Sequence, residues 1–176
     1  MIFTETKIAG AFVIDIQPHS DDRGFFSRSF CRHEFEEHGL SPVVAQCNIS
    51  LNHKKGTIRG MHFQTSPHEE AKLVRCTRGE IFDVVVDLRP DSPTHKQWVG
   101  VRLNERNHTM LYVPPGCGHG FQSLTDDAEL MYQVSEFFAP AHASGYAYND
   151  PAFGIEWPLP LTVISQADSS WPPYTL

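Results

Sequence analysis

Helical periodicity is scarce along this chain. Apolar residues recur instead at alternate positions, in short runs separated by turn residues. The pattern predicts strands over 11–17, 43–50, 57–64, 72–76, 80–88, 97–103, 110–113 and 129–137. Between them stand Asp21-Asp22-Arg23-Gly24, Lys54-Lys55-Gly56, Ser66-Pro67, Arg78-Gly79, Pro90-Asp91-Ser92-Pro93 and Pro114-Pro115-Gly116, each rich in residues that favour turns. One short helix is predicted over 32–38, stopped by Gly39. Many short strands without intervening helices predict an all-β fold, an antiparallel sandwich or barrel. No linker, repeat or composition break divides the 176 residues, so the whole chain, 1–176, is expected to form one domain.

Strand parity indicates where side chains point. Over 80–88, Phe82, Val84, Val86 and Leu88 form one apolar face, and Ile81, Asp83, Val85 and Asp87 the other. Over 57–64, His62 and Gln64 share a face with Ile58, while Thr57, Arg59, Met61 and Phe63 are expected on the opposite one. Over 129–137, Tyr132 falls between Leu130 and Val134. A strand that sets His or Asp among aliphatics either satisfies a buried hydrogen bond or lines a pocket, and a barrel wide enough for a ligand does the second.

Composition narrows the function. With 14 basic and 21 acidic side chains, the net charge is -7. That balance argues against nonspecific binding of nucleic acid or an anionic membrane, and leaves room for a small anion in a local basic pocket. No run approaches the roughly 20 apolar residues of a membrane span. Met1-Ile2-Phe3 passes directly into Thr4-Glu5-Thr6-Lys7, without the apolar stretch of a secretory leader. Cys31, Cys47, Cys76 and Cys117 are scattered, with no C-x-x-C pair or zinc-like spacing. They are expected to be reduced thiols in a cytoplasmic protein.

Two segments carry histidine among glycines. Gly56-Thr57-Ile58-Arg59-Gly60-Met61-His62-Phe63-Gln64 and Pro114-Pro115-Gly116-Cys117-Gly118-His119 resemble the two motifs of cupins, small jelly-roll barrels. Metal cupins read His-x-His followed by Glu in the first motif. Here the second of those histidines is Gln64, whose amide is a poor ligand, and Glu69 and Glu70 stand near the glutamate position with the wrong spacing. A metal-free cupin is the reading these residues favour.

A longer ordered set is more specific. It runs Asp22-Arg23-Gly24-Phe25-Phe26, the stretch 56–64, Lys72-Leu73-Val74-Arg75 and Gly79-x-x-x-Asp83-Val84-x-Val86-Asp87-x-Arg89. Then follow Tyr112-Val113-Pro114-Pro115-Gly116-x-x-His119-Gly120-Phe121, Asn149-Asp150-Pro151, Ile155-x-Trp157-Pro158 and Ile164-Ser165-x-x-Asp168. From about Gly10 to about Pro172 the chain closely resembles the dTDP-4-dehydrorhamnose 3,5-epimerase family. The resemblance implies a jelly-roll cupin core, a homodimer, no cofactor, no metal, and a nucleotide-diphosphate-linked 4-keto-6-deoxyhexose as substrate.

Such a substrate sets definite demands. A ketone at C4 acidifies the protons at C3 and C5, so epimerisation needs a base, an acid across the ring, and positive charge near the developing oxyanion. By resemblance His62 is the base, Asp168 the carboxylate that orients it, Tyr132 the acid on the opposite face and Lys72 the cation beside the C4 oxygen. Arg23 and Arg59 match positions that meet the nucleotide and its phosphates. Gln46, Asn48 and His119 match polar residues of the substrate pocket, and Phe26 and Phe138 match aromatics flanking the base. Taken singly, Tyr132 would be a half-buried strand aromatic, Asp168 a turn residue and Lys72 a solvated strand-start charge. The ordered motifs favour the functional reading.

The chain also departs from the family pattern. The usual glutamate of the first motif is Arg28, which cannot accept a hydrogen bond from a thymine ring, so a different nucleotide carrier enters as an alternative. The usual tyrosine pair is Phe137-Phe138, and the lysine before the last aspartate is Ala167. The chain runs only a few residues past that aspartate, so few tail contacts are expected. An epimerase acting at C3 or C5 alone is the other enzymatic alternative. A non-catalytic nucleotide-sugar-binding cupin is the alternative of a different class, and a metal-dependent cupin ranks last.

Overall fold

The computed structural model describes residues 1–175. Its elements are β1 (Ile2–Glu5), β2 (Phe12–Asp15), β3 (His19–Asp21), β4 (Gly24–Phe26), α1 (Arg32–Glu37), β5 (Gln46–Asn52), β6 (Ile58–Gln64) and β7 (Lys72–Arg78). They continue with β8 (Glu80–Asp87), β9 (Trp98–Asn104), β10 (Met110–Val113), β11 (Cys117–Ser123), β12 (Ala128–Val134), β13 (Ala143–Gly145) and α2 (Gln166–Ser169). One sheet has the order β1-β2-β10-β7-β12-β5 and the second β13-β6-β11-β8-β9, with β3 and β4 forming a separate hairpin. All the strand pairs are antiparallel. This is the jelly-roll arrangement of a cupin, as the strand-rich pattern predicts.

Alternation explains how the sheets meet. Val74, Cys76, Leu111 and Leu130 of the first sheet close on Ile81, Val85, Leu103 and Phe121 of the second, all buried. The outer face of the first sheet is partly covered by Phe35 of α1, which packs over Phe12, Leu73 and Tyr112. The outer face of the second carries Met61, Val84 and Val86 beneath Phe153, Trp157 and Tyr174. The predicted parity of 80–88 therefore holds, with both faces buried. Burial pushes the Cys76 and Cys117 thiols up to about 11 and about 12. Cys47, on β5, is exposed.

Three sequence expectations need correction. First, β11 is a strand of seven buried residues between β6 and β8, where the alternation predicted no strand after the Pro114-Pro115-Gly116 turn. Gly118 and Gly120 weaken its β signal, and they are there for close approach: a Cβ at Gly120 would lie 2.6 Å from Met61 Sδ and 2.9 Å from the Arg59 carbonyl.

Second, parity fails in β6. His119 lies opposite His62 but Phe121 lies opposite Arg59, so β6 holds one residue more than β11 across that interval. This is a bulge, and it resets the alternation. Met61 goes to the outer core, while Arg59 and His62 face one chamber. Gly60 makes the bulge possible: its φ is +139°, and a Cβ there would lie 2.6 Å from Gly120 Cα.

Third, several boundaries shift. The strand expected over 129–137 ends at Val134, leaving Phe137 and Phe138 in an exposed loop, and the strand expected over 43–50 is displaced to Gln46–Asn52. In compensation Ile2–Glu5 and the β3–β4 hairpin are strands that the alternation did not reveal.

The two glycine environments give a direct comparison. Gly60→Ala must push the Gly120 backbone aside as well as hold a positive φ, and should cost about 2–4 kcal/mol in urea unfolding. Gly24→Ala, at φ +125° in open space, should cost only about 1 kcal/mol. Equal losses would show that the Gly60–Gly120 contact is slack.

Candidate active site

Inward-facing positions of both sheets converge on a cavity of about 530 Å³. β5 supplies Gln46 and Asn48, β6 supplies His62 and Gln64, β7 supplies Lys72, and β12 supplies Tyr132. Asp168 and Trp171 enter from the C-terminal segment, and Phe138 from the loop after β12. Deeper in the barrel lies a chamber of about 150 Å³ that shares His62, Lys72 and Tyr132 and adds Arg59 and His119. Nine of the eleven sequence-selected residues are thus brought together.

Arg23 and Phe26 are not. Both lie on the β3–β4 hairpin and line neither space. The Arg23 side chain is 90% exposed and pairs with Asp21, and Phe26 is 76% exposed. Arg28 is beside them, bonded at 2.8 Å to Glu34, which also receives the N-terminal ammonium.

His62 Nε2 and Asp168 Oδ1 are 2.5 Å apart. A carboxylate only accepts, so Nε2 carries the hydrogen and the neutral ring keeps its lone pair on Nδ1. Burial alone would raise the Asp168 carboxyl, but hydrogen bonds from His62 and Trp171, with the His62 charge, hold it below the ordinary carboxylate value. Ser165 caps α2 by accepting the Asp168 N–H at 3.0 Å, which sets where the carboxylate starts.

Tyr132 stands on the opposing sheet. Burial pushes its phenol above the ordinary value, the Glu70 carboxylate adds to this, and Arg59 opposes it. The hydroxyl therefore stays protonated at neutral pH and is able to donate. Lys72 is buried and pairs with Glu70 at 3.1 Å.

The charges follow a rule. His62 is matched by Asp168, Lys72 by Glu70, and His119 by Asp83 at 2.8 Å. Arg59 instead donates to the neutral Asn52 amide oxygen at 2.8 Å and to the Leu51 carbonyl. Among the described residues no carboxylate pairs with Arg59, so the chamber holds a guanidinium with neutral partners only.

Gln64 has a structural task. Its Nε2 donates to the carbonyls of His68 and Phe137, and its Oε1 accepts the Ala139 N–H at 2.7 Å. Gln46 Oε1 accepts the Phe138 N–H at 2.7 Å. Together the two amides fix the loop that brings Phe138 to the cavity.

Trp171, Glu70 and Asp83 escape the sequence reading as site components. Trp171 stands three residues after Asp168, just past the end of α2, and no spacing rule marks it in the sequence. Glu70 carries only its closeness to Lys72 as a signal. Asp83 was visible as a strand carboxylate among aliphatics, but not its partner.

A histidine held by a carboxylate, faced by a tyrosine from the opposite sheet of a jelly-roll cavity, defines a cupin with a polar interior site. A sequence model of the dTDP-4-dehydrorhamnose 3,5-epimerase family matches residues 5–175, and the chain belongs to that family. The dTDP-4-dehydrorhamnose 3,5-epimerase of Methanothermobacter thermautotrophicus is 40% identical over 174 residues, covering 97% of this chain and 93% of that protein. The crystal structure of the Bacillus anthracis dTDP-4-dehydrorhamnose 3,5-epimerase with TDP and PPi bound is 39% identical. It has a TM-score of 0.94 and covers 98% of this chain and 99% of that one. A 3'-monoepimerase from Streptomyces bikiniensis in complex with dTDP-quinovose is 37% identical, with a TM-score of 0.88, over 96% of this chain and 85% of that one.

Asp168 links the site to acid stability. Its carboxyl is depressed in the folded protein, so the stabilisation is present above the ordinary carboxylate value of about 3.9 and is lost as pH falls through the lower folded value. Asp168→Asn should cost about 1–3 kcal/mol at pH 7. Urea unfolding at pH 7 and pH 3 should show the gap to wild type narrowing in acid; a constant gap would remove the linkage.

Proposed function

We propose that this protein epimerises dTDP-4-keto-6-deoxyglucose at C3 and C5, giving dTDP-4-dehydrorhamnose. The observation that carries the reading is the placement of His62 and Tyr132 on opposing sheets of one cavity. His62 takes the proton from carbon through the lone pair on Nδ1, and the electrons move onto the C4 oxygen as an enolate. Asp168 stabilises the imidazolium that results, and Lys72 meets the developing oxyanion. Tyr132 returns a proton to the opposite face, which inverts the centre. Arg59, with His119, Gln46 and Asn48, holds the nucleotide diphosphate, and Phe138 flanks the base. The residues carry every proton and charge in this scheme, so it proceeds without a metal or cofactor.

A homodimer belongs to the same proposal. Ile49 and Leu51 are exposed apolar residues on the outer face of the edge strand β5, 71% and 40% accessible. A second copy on that side would cover them. It would also give the projecting hairpin, with Arg23 and Phe26, a cavity to serve in the partner, which accounts for their distance from their own. One domain and a cytoplasmic setting complete the reading.

A mono-epimerase reading has one specific support, the likeness to the 3'-monoepimerase. Proton NMR in heavy water with dTDP-4-keto-6-deoxyglucose separates the two. Deuterium entering at both C3 and C5 supports the double epimerase; deuterium at C3 alone supports the second reading, and none at either, with the protein folded, removes both. His62→Ala should lower exchange by about 10²–10⁴-fold with dTDP binding retained. Tyr132→Phe should slow inversion more than exchange, and equal losses would count against Tyr132 as the acid.

A further inference from the structure

Asp168 reaches the cavity from outside the sheets, on a helix of four residues. So short a helix does not persist by itself in water. Its position must come from contacts on either side. Before it, Val163 bridges Thr57, and the Ile58 N–H donates to the Val163 carbonyl at 3.0 Å. After it, the Ala147 N–H donates to the Pro172 carbonyl at 3.1 Å. The segment ends in a dense set of contacts around Tyr174.

The Tyr174 backbone N–H donates to the buried carboxylate of Asp150, which also accepts the Ala152 N–H. The Tyr174 ring lies 5.0 Å from Tyr146 and 5.3 Å from Phe153. Lys96 places its ammonium 5.2 Å over the ring, and the hydroxyl meets His95 Nε2 at 3.0 Å. Between the two anchors Trp171 covers Gly145, where a Cβ would come within 2.6 Å of the indole. Trp171 Nε1 donates at 3.3 Å to Asp168 Oδ1, the oxygen that also accepts from His62. Tyr174 itself lines neither the cavity nor the chamber.

We propose that Tyr174 is a positioning residue for epimerisation: it pins the C-terminal segment to the second sheet and so sets Asp168 and Trp171 against His62. The inference rests on the functional reading above. Tyr174 acts through the segment and never on the substrate, so its loss falls on the chemical step and spares the nucleotide site. A small displacement of a positioning group is enough, because misplacement by about 1 Å costs about 10²-fold in rate.

The test compares wild type, Tyr174→Ala, Tyr174→Phe, Asp168→Asn and the Asp168→Asn/Tyr174→Ala double variant. Tyr174→Ala should lower kcat and deuterium incorporation by at least about tenfold, and Tyr174→Phe, which keeps the ring, should restore most of it. The dTDP dissociation constant should stay within about twofold, and the double variant should be no worse than Asp168→Asn by more than about twofold, since the effect passes through Asp168. The indole N–H resonance of Trp171, assigned with Trp171→Phe, should move in Tyr174→Ala. Wild-type kcat in Tyr174→Ala, multiplicative loss in the double variant, or dTDP affinity falling in step with kcat overturns the proposal.

If Tyr174→Ala does not fold, His95→Ala/Lys96→Ala removes the outer contacts of the ring. A kcat lowered by at least about threefold with dTDP affinity kept then supports the proposal, and unchanged kcat overturns it. If wild type shows no exchange, the functional reading fails separately. The Trp171 resonance then decides whether Tyr174 pins the segment: movement supports it, and a fixed resonance overturns it.

Discussion

The backbones of β6 and β11 touch at Gly60 and Gly120, and the active site depends on that contact. Antiparallel strands of equal count would send alternate residues of β6 to opposite sides, with Arg59 and His62 apart. The extra residue carried at Gly60 turns both toward the interior and sends Met61 outward into the hydrophobic layer. Glycine is required on both strands because either Cβ would fall inside the other strand's backbone contact distance. The cost is conformational entropy and weak intrinsic strand preference, accepted in the centre of a sheet where both faces are covered.

Around this seam the cavity concentrates charge in a half-dry space, where unpaired ions are expensive. The protein resolves this by setting a carboxylate against His62, Lys72 and His119 and, among the described residues, leaving Arg59 with only neutral acceptors. The paired groups can be deeply placed and held in register, and the unpaired one defines where an anion gains most. Glu70 serves twice, as the partner of Lys72 and as a charge that adds to the effect of burial in raising the Tyr132 phenol.

Much of this was legible in the residues. Strands with clean alternation, such as Glu80–Asp87, read correctly down to the direction of each side chain. The cavity residues carried by those patterns or by the ordered motifs fell together. What was not legible has a common cause: positions where a local rule is overridden by contact with a distant part of the chain. β11 gave no strand signal because its glycines make room for β6. The parity of Arg59 was wrong because a bulge is a property of two strands. The C-terminal segment looked too short for contacts, yet Tyr174 finds a ready-made aromatic seat among Tyr146 and Phe153. Arg23 and Phe26 were chosen by motif, and the fold of one chain does not bring them to its own cavity.

The thiols differ sharply in availability. Cys76 and Cys117 are sealed in the interior and held far from ionisation, whereas Cys47 sits in line with Ile49 and Leu51 on the open side of β5. Only a thiolate reacts with an alkylating agent at appreciable speed, so the buried pair is silent while the fold persists. The protein therefore carries its own contact gauge on the edge of the larger sheet. How fast Cys47 is modified, followed apart from the half-buried Cys31 at one protein concentration and then another, reports whether something lies against that strand, with no residue changed.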